Sequence, residues 1–320
     1  MTSATSVESG LPPILALVGP TASGKSALAI DVARRLDAEI ISADSMQIYR
    51  GMDIGTAKVP PADRRGVPHH LIDILEPSDE ATVAEFQACG RVAIDAVRAA
   101  GRVPIVVGGS GLYISALIDT LEFGGTDARV RADLEDELAR DGAAHLHRRL
   151  AAQDPAAAEL ILPGNGRRIV RALEFIAVTG RPFPARFAPA PAYPSVRIGL
   201  QVPLVDLDRR IEERVRGMWA SGMVDETRRL RSGGLGRTAA EAIGYSQALA
   251  QIAGELSEEE AQAQTVLATR RFARRQLRWM RRDPLVTWCD HNADDLSAQV
   301  VALYSEKSPQ TSVVLRSHES

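Results

Sequence analysis

Residues 14 to 36 read ILALVGPTASGKSALAIDVARRL, and this stretch decides the fold. Ile14 to Val18 is a short apolar run of strand length, and Ala27 to Leu36 repeats its apolar residues at helical spacing. Between them Gly19, Pro20, Thr21, Ala22, Ser23, Gly24, Lys25 and Ser26 fit the phosphate-loop pattern GxxxxGK[ST], in the strand-to-helix context that the motif requires. Its glycines let the backbone wrap so that successive N–H groups face phosphate oxygens, and the helix N-terminus adds partial positive charge. Lys25 is expected to place its ammonium on the terminal phosphates and Ser26 its hydroxyl on Mg²⁺.

The pattern continues outward from this turn. Residues 39 to 42, 71 to 75 and 103 to 107 read as further short strands. Thr82 with Glu85 makes a capping box for a helix carrying Phe86, Val92 and Val97. Strands alternating with helices predict an α/β fold with a parallel, doubly wound sheet. From Thr126 to about Thr179 only helical periodicity is present, broken at Gly142, Pro155 and Pro163-Gly164, and a proline-rich stretch follows to Pro194. Residues 196 to 202 are strand-like again. Helices are expected at 206 to 220, 224 to 231 and 241 to 253, then a long one capped by Ser257 with Glu260. The predicted organisation is a P-loop core over 11–122, a helical insertion and linker over 123–194, and a core return with C-terminal helices over 195–305. Polar stretches 1–10 and 306–320 read as disordered tails.

Composition removes other classes. Hydrophobic residues make up 45% and charged residues 25%, the globular range, so wholesale disorder and coiled-coil architecture are excluded. No apolar run approaches the length of a membrane span, and the first residues lack the basic and apolar parts of a secretory signal, so a cytoplasmic address is expected. Cys89 and Cys289 belong to no CxxC and have no histidines at ligand spacing, which argues against a zinc site or a disulfide framework.

A P-loop implies polyphosphate without implying hydrolysis. Motor and switch NTPases end an apolar strand in an acid that serves the Mg²⁺ shell. Here residues 103 to 107 end in Gly108-Gly109-Ser110-Gly111, and Asp73 lies within its expected strand, where hydrogen bonding and metal binding are both open. The acid best placed to act is Asp44, at the C-terminal end of the second strand, where ligands bind in open parallel sheets. Farther on, Arg270, Arg271, Arg274, Arg275, Arg278, Arg281 and Arg282 crowd one stretch without an acid. Those at four-residue spacing stack on one helical face, opposite Val266, Ala273, Leu277 and Met280. Like charges so placed repel unless an anion offsets them, and a phosphate backbone is such an anion.

Several stretches together resemble the tRNA dimethylallyltransferase family, also called isopentenyl-tRNA transferases. They are GPTASGKS (19 to 26), ISADSMQIYRGMDIGTAK (41 to 58), HHLIDIL (69 to 75), VVGGSGLYI (106 to 114), RRIVRALE (167 to 174), RIEERVRGMWASGMVDE (210 to 226), EAIGYSQ (241 to 247) and ATRRFARRQLRWMR (268 to 281). The resemblance implies transfer of a dimethylallyl group from its diphosphate to N6 of adenosine 37, beside the tRNA anticodon, with the P-loop holding the departing pyrophosphate. It assigns Asp44 as general base, with Lys25, Arg214 and Ser110 completing the catalytic set and Ser26 holding Mg²⁺. It implies tRNA contacts at Asp44, Ser45, Met46, Gln47, Ser110, Arg131, Arg167, Arg168, Arg171, Arg274, Arg275, Gln276, Arg278 and Arg281, which makes the insertion a tRNA-binding domain. The partners so implied are the tRNA anticodon stem-loop and dimethylallyl diphosphate, with no membrane, and the chain is expected to act as a monomer. The family usually has threonine at 110, where Ser110 keeps the hydroxyl, and many members have Lys or Arg where Ser246 stands. Taken alone, Arg214 reads as a solvated helix arginine, and Arg131 as an arginine paired with the acids around it.

Three other functions fit parts of the chain. A small-metabolite kinase would use the P-loop but leave the insertion and the arginine helix idle. A free-AMP isopentenyltransferase would share the P-loop and the aspartate, and a non-catalytic RNA-binding P-loop protein would not need the aspartate.

Overall fold

The structure is a computed structural model that describes residues 10–121, 123–124, 126–184 and 190–308. Six parallel strands form one sheet: β1 (Ile14–Val18), β2 (Ala38–Ser42), β3 (His69–His70), β4 (Val103–Gly108), β5 (Ser195–Gln201) and β6 (Val286–Asp290), in the order β3-β2-β4-β1-β5-β6. All five residues of β1 are buried, as a central strand covered on both faces requires. Alternate residues feed two cores. Leu15 and Leu17 pack with α1 (Lys25–Leu36) and with Val300 and Tyr304 near the C-terminus. Ile14, Ala16 and Val18 face a larger core built from α2 (Val83–Ala99), α3 (Gly111–Ile118) and the helices after β5.

The described chain divides into two compact units, one of residues 120–190 and one of all the rest. The first is helical throughout: α4 (Ala128–Asp141), α5 (Ala143–Gln153), α6 (Pro155–Leu160) and α7 (Gly166–Thr179) enclose a core of their own that includes Leu146, Leu150, Ile169 and Leu173. Asp127, Asp154 and Asn165 cap α4, α6 and α7 with side-chain oxygens, so the helix starts fall where turn residues interrupt the periodicity. The unit ends at 190 where the sequence pattern suggests 194. Residues 191 to 194 belong to the sheet unit, since Ala192 N–H donates to Ile118 O and Ile14 N–H to Pro194 O, both at 2.9 Å.

After β5 come α8 (Leu204–Ala220), α9 (Met223–Gly233), α10 (Arg237–Ala240), α11 (Tyr245–Ile252), α12 (Glu258–Met280) and, beyond β6, α13 (Leu296–Lys307). Both capping boxes read from the sequence, at Thr82 and Ser257, are present. Two expectations are corrected. Residues 71 to 75 are not a strand: Leu71 and Asp73 adopt φ of 60° and 57°, because Asp73 turns aside to Lys58 and the backbone N–H groups of Asp73 and Ile74 go to Gln47 and Ile48. The helix expected over 241 to 253 breaks at Gly244, whose φ of 93° ends α10 and its turn before α11 begins. Strand β6 and helix α13 have no counterpart in the sequence pattern, and α13 carries helix to Lys307, past the start of the expected tail at 306. Residues 1–9, 185–189 and 309–320, which include most of both expected tails and part of the linker, lie outside the described residues.

Candidate active site

The P-loop runs from the end of β1 into α1 as the motif dictates. Gly24 precedes α1 with φ of 93°, a left-handed turn that favours glycine and brings the loop's amides round to the helix end. Ala22 shares the left-handed region at φ 63°. The loop is braced from several sides. Thr21 N–H donates to Gln276 Oε1 of α12 at 2.9 Å, Gly19 N–H to Gly108 O of β4 at 3.3 Å, and Arg210 of α8 donates to Ser23 O at 3.4 Å. Arg210 also donates to His291 Nδ1 at 3.1 Å, which places the imidazole proton of that neutral tautomer on Nε2.

A cleft of about 580 Å³, counted to its open mouth, lies over this loop. Thr21, Lys25, Ser26, Asp44, Gln47 and Arg214 line it, with apolar walls from Ala29, Ile40, Val59, Ile72 and Val107. Asp44 stands two residues beyond β2, and its Oδ1 accepts from Met46 N–H at 2.9 Å, which fixes the carboxylate. Its Oδ2 has no hydrogen-bond partner among the described residues. Among the described residues Lys25 Nζ donates only to the Pro20 carbonyl, at 3.3 Å. Burial pushes this ammonium down to about 8; Asp44 opposes that shift and Arg214 adds to it. Arg214 is likewise lowered by burial, against the pull of Asp44. Its guanidinium meets neutral groups, Thr21 Oγ1 at 3.2 Å and Thr56 O at 3.5 Å. Two cations thus share the cleft with a single acid among its lining residues, an imbalance that an anion would offset.

The donor set suits a hard cation. Ser26 and Ser42 hydroxyls and the Asp44 carboxylate, all oxygen donors, line one cleft, and Mg²⁺ takes such ligands together with phosphate oxygens. Elsewhere, Glu137, Asp141 and His145 come within metal-ligating reach of one another, but Arg149 and Arg140 already pair with the two carboxylates.

Comparisons with known proteins give the chain's family. A family model described as IPP transferase matches residues 47–283, and one described as isopentenyl transferase matches residues 12–73. The chain belongs to the IPP transferase family. It is 56% identical over 289 residues to the tRNA dimethylallyltransferase of Streptomyces avermitilis, covering 89% of this chain and 93% of that one. It is 56% identical over 303 residues to that of Thermobifida fusca, covering 92% and 95%. Among solved structures it resembles the full-length tRNA isopentenylpyrophosphate transferase of Bacillus halodurans, at 39% identity and a TM-score of 0.69 over 92% of this chain and 97% of that one. It also resembles a eukaryotic dimethylallyltransferase acting on tRNA, at 25% identity and a TM-score of 0.78, covering 91% and 78%.

This IPP transferase brings Lys25, Ser26, Asp44, Gln47 and Arg214 into one cleft. Ser45 and Met46 are half-buried beside Asp44, and Ser110 stands at the start of α3 with its side chain free of any capping bond. Gln276, expected on tRNA, has a buried side chain that accepts from Thr21 N–H and so braces the P-loop. On α12, Arg274 pairs with Asp208 of α8 at 2.8 Å and Arg270 pairs with Glu212, whereas Arg271, Arg275, Arg278 and Arg281 are exposed with no ion pair among the described residues. In the helical unit Arg131 and Arg171 both pair with the fully buried Glu174 at 3.0 Å, not with the acids adjacent to Arg131, while Arg167 and Arg168 are exposed. Two residues with a part in the cleft escape a reading of the sequence. Arg210 braces Ser23, and Glu226, a buried carboxylate on α9, holds residues 53 to 55. Both fall inside the family-like stretch from 210 to 226, the one signal in the sequence that points to them.

Proposed function

We propose that this chain transfers the dimethylallyl group of dimethylallyl diphosphate to the exocyclic N6 of adenosine 37, beside the anticodon of tRNA. The observation that carries this is the cleft's composition: Asp44, with Oδ2 unpartnered among the described residues, shares it with Lys25 and with an Arg214 whose hydrogen bonds among the described residues go only to neutral acceptors. The diphosphate sits on the P-loop from Gly19 to Ser26. As the bond from C1 to the bridging oxygen breaks, negative charge grows on the departing diphosphate, and Lys25 and Arg214 meet it. The N6–C1 bond forms as Asp44 takes the amine proton, which is required because a ring-conjugated amine is a weak nucleophile. Mg²⁺, held by the Ser26 hydroxyl and diphosphate oxygens, would neutralise part of the diphosphate charge.

The extruded adenine reaches the cleft with Ser45, Met46, Gln47 and Ser110 at its rim, and the exposed arginines of α12 bind tRNA backbone; within the helical unit, Arg167 and Arg168 are exposed for the same chemistry. No helix among the described residues is long and apolar enough to cross a membrane; a cytoplasmic location and action as a monomer belong to the same proposal. The test is a transfer assay with labelled dimethylallyl diphosphate and an unmodified anticodon stem-loop, with AMP and ATP in parallel. Label appearing on the stem-loop is expected. Label on AMP alone, or phosphoryl transfer from ATP to a small acceptor, would replace this reading.

A further inference from the structure

Glu226 lies on α9, is only 3% exposed, and has no cation beside it among the described residues. Consecutive backbone N–H groups of Asp53, Ile54 and Gly55 converge on its carboxylate at 3.2, 2.9 and 3.3 Å, and the Tyr245 hydroxyl donates to Oε1 at 2.6 Å. A turn whose amides aim at one point binds an anion as the P-loop does, but here the anion is part of the chain. Gly55 is required by close approach, since a Cβ there would come within 2.4 Å of the Tyr245 ring. Burial and the Glu226 charge both push the Tyr245 phenol well above its usual value, so it stays a donor. The far side of the turn is fixed independently. Lys58, 9% exposed, holds Asp53 at 2.9 Å and also Asp73 and the Tyr49 carbonyl.

The next residue in the chain is Thr56. Its carbonyl accepts from Gln47 Nε2 at 3.2 Å and from Arg214 Nη2 at 3.5 Å, while the other end of Arg214 reaches Thr21 in the P-loop. We infer that Glu226 is a positioning residue for prenyl transfer: by clamping the 53–55 turn it fixes the Thr56 carbonyl, and through it the angle at which Arg214 faces the departing diphosphate. The inference rests on the role given to Arg214 under Proposed function. It does not extend to diphosphate binding by the P-loop amides and Lys25, which Glu226 does not touch.

The test is a double-mutant cycle between Glu226→Gln and Arg214→Ala, read as kcat and KM for dimethylallyl diphosphate, with thermal melting as control. The amide removes the charge and turns an N–H₂ toward backbone donors, so the turn relaxes. Small misplacements of a catalytic group cost about 10- to 100-fold in rate. Glu226→Gln should therefore lower kcat by about that factor, with KM for the donor moving less than about twofold. In the Arg214→Ala background the same change should add less than about twofold, because residues acting as one unit are non-additive. A full multiplicative loss there, or a rise in KM with unchanged kcat, overturns the inference. An Arg214→Ala enzyme as active as the wild type instead overturns the underlying reading of Arg214. Should Glu226→Gln fail to fold, Tyr245→Phe, which removes one of the four donors, goes through the same cycle. A few-fold kcat loss confined to the Arg214 background is expected, and an unchanged kcat or an additive loss overturns the inference.

Discussion

Arginines in two regions of this chain differ in what they face. Arg214 in the sheet unit meets a hydroxyl and a carbonyl, whereas Arg131 and Arg171 in the helical unit share a carboxylate that is fully buried. The resemblance gives all three a functional role, Arg214 in the catalytic set and Arg131 and Arg171 on tRNA. Their partners separate them. A guanidinium hydrogen-bonded only to neutral acceptors keeps its charge available to an incoming anion, while one bound to Glu174 is already compensated.

The sharpest way to break this comparison begins with the acid that both cleft cations face. Asp44→Asn keeps the shape and loses the proton acceptor, so single-turnover transfer should fall about 10²- to 10⁴-fold with tRNA binding nearly unchanged. Transfer within a few-fold of wild type would remove Asp44 from the role of base. Next in size, Arg214→Ala should slow transfer about 10²- to 10³-fold, as removal of a donor to growing negative charge does. Arg131→Ala should act differently, lowering the melting stability of the helical unit by about 1 kcal/mol, since Arg171 still pairs with Glu174 and Arg131 is partly exposed, while the chemical step at saturating tRNA stays within a few-fold. Were Arg131→Ala to cut the saturated rate as deeply as Arg214→Ala, the contrast would collapse.

A third measurement uses Lys25, whose ammonium is held down to about 8 by burial. Donor binding needs the charged form, so kcat/KM for dimethylallyl diphosphate should be flat below that pH and fall about tenfold per unit well above it. Asp44 raises Lys25, so in Asp44→Asn the descending limb, read as donor binding, should move to lower pH. A limb that stays in place would uncouple the two groups.

How much of this is legible in the sequence follows from whether a residue's role depends on neighbours in sequence or in space. The P-loop and the capping boxes at Thr82 and Ser257 are local patterns and stand where expected. Asp44 is legible because ligands gather at the ends of parallel strands. Residues 71 to 75 look like a strand from apolar content, yet two left-handed residues turn them toward Lys58, a partner 15 positions from Asp73. Gln276 is given a tRNA contact by the resemblance, while its side chain turns inward to Thr21, 255 positions away. Glu226 and Arg210 are hidden for the same reason, as a buried carboxylate and a bracing arginine look like ordinary helix-surface charges until the chain is folded.

The smallest expected effect concerns the basic helix, which contains both kinds of arginine. Arg270 and Arg274 of α12 are paired with Glu212 and Asp208 of α8, so their repulsion is offset within the protein. Arg275 and Arg278 are exposed without such partners among the described residues, and Arg275 lies over the Phe272 ring at 5.8 Å, which orients it without neutralising it. Arginines that bind phosphate act through counterion release, so removing each one lowers the log–log salt slope of tRNA binding by roughly 0.7 to 0.9. Arg275→Gln with Arg278→Gln should therefore flatten the slope by about 1.5, whereas Arg270→Gln with Arg274→Gln should change it by less than about half a unit and show in melting temperature instead. Donor affinity should hold in the exposed pair, because the buried face of α12, with Gln276 on Thr21, is untouched. Equal slopes for the two double variants would mean that the α8 acids release Arg270 and Arg274 to the tRNA, and that ion pairs seen in the free protein do not predict which arginines bind phosphate.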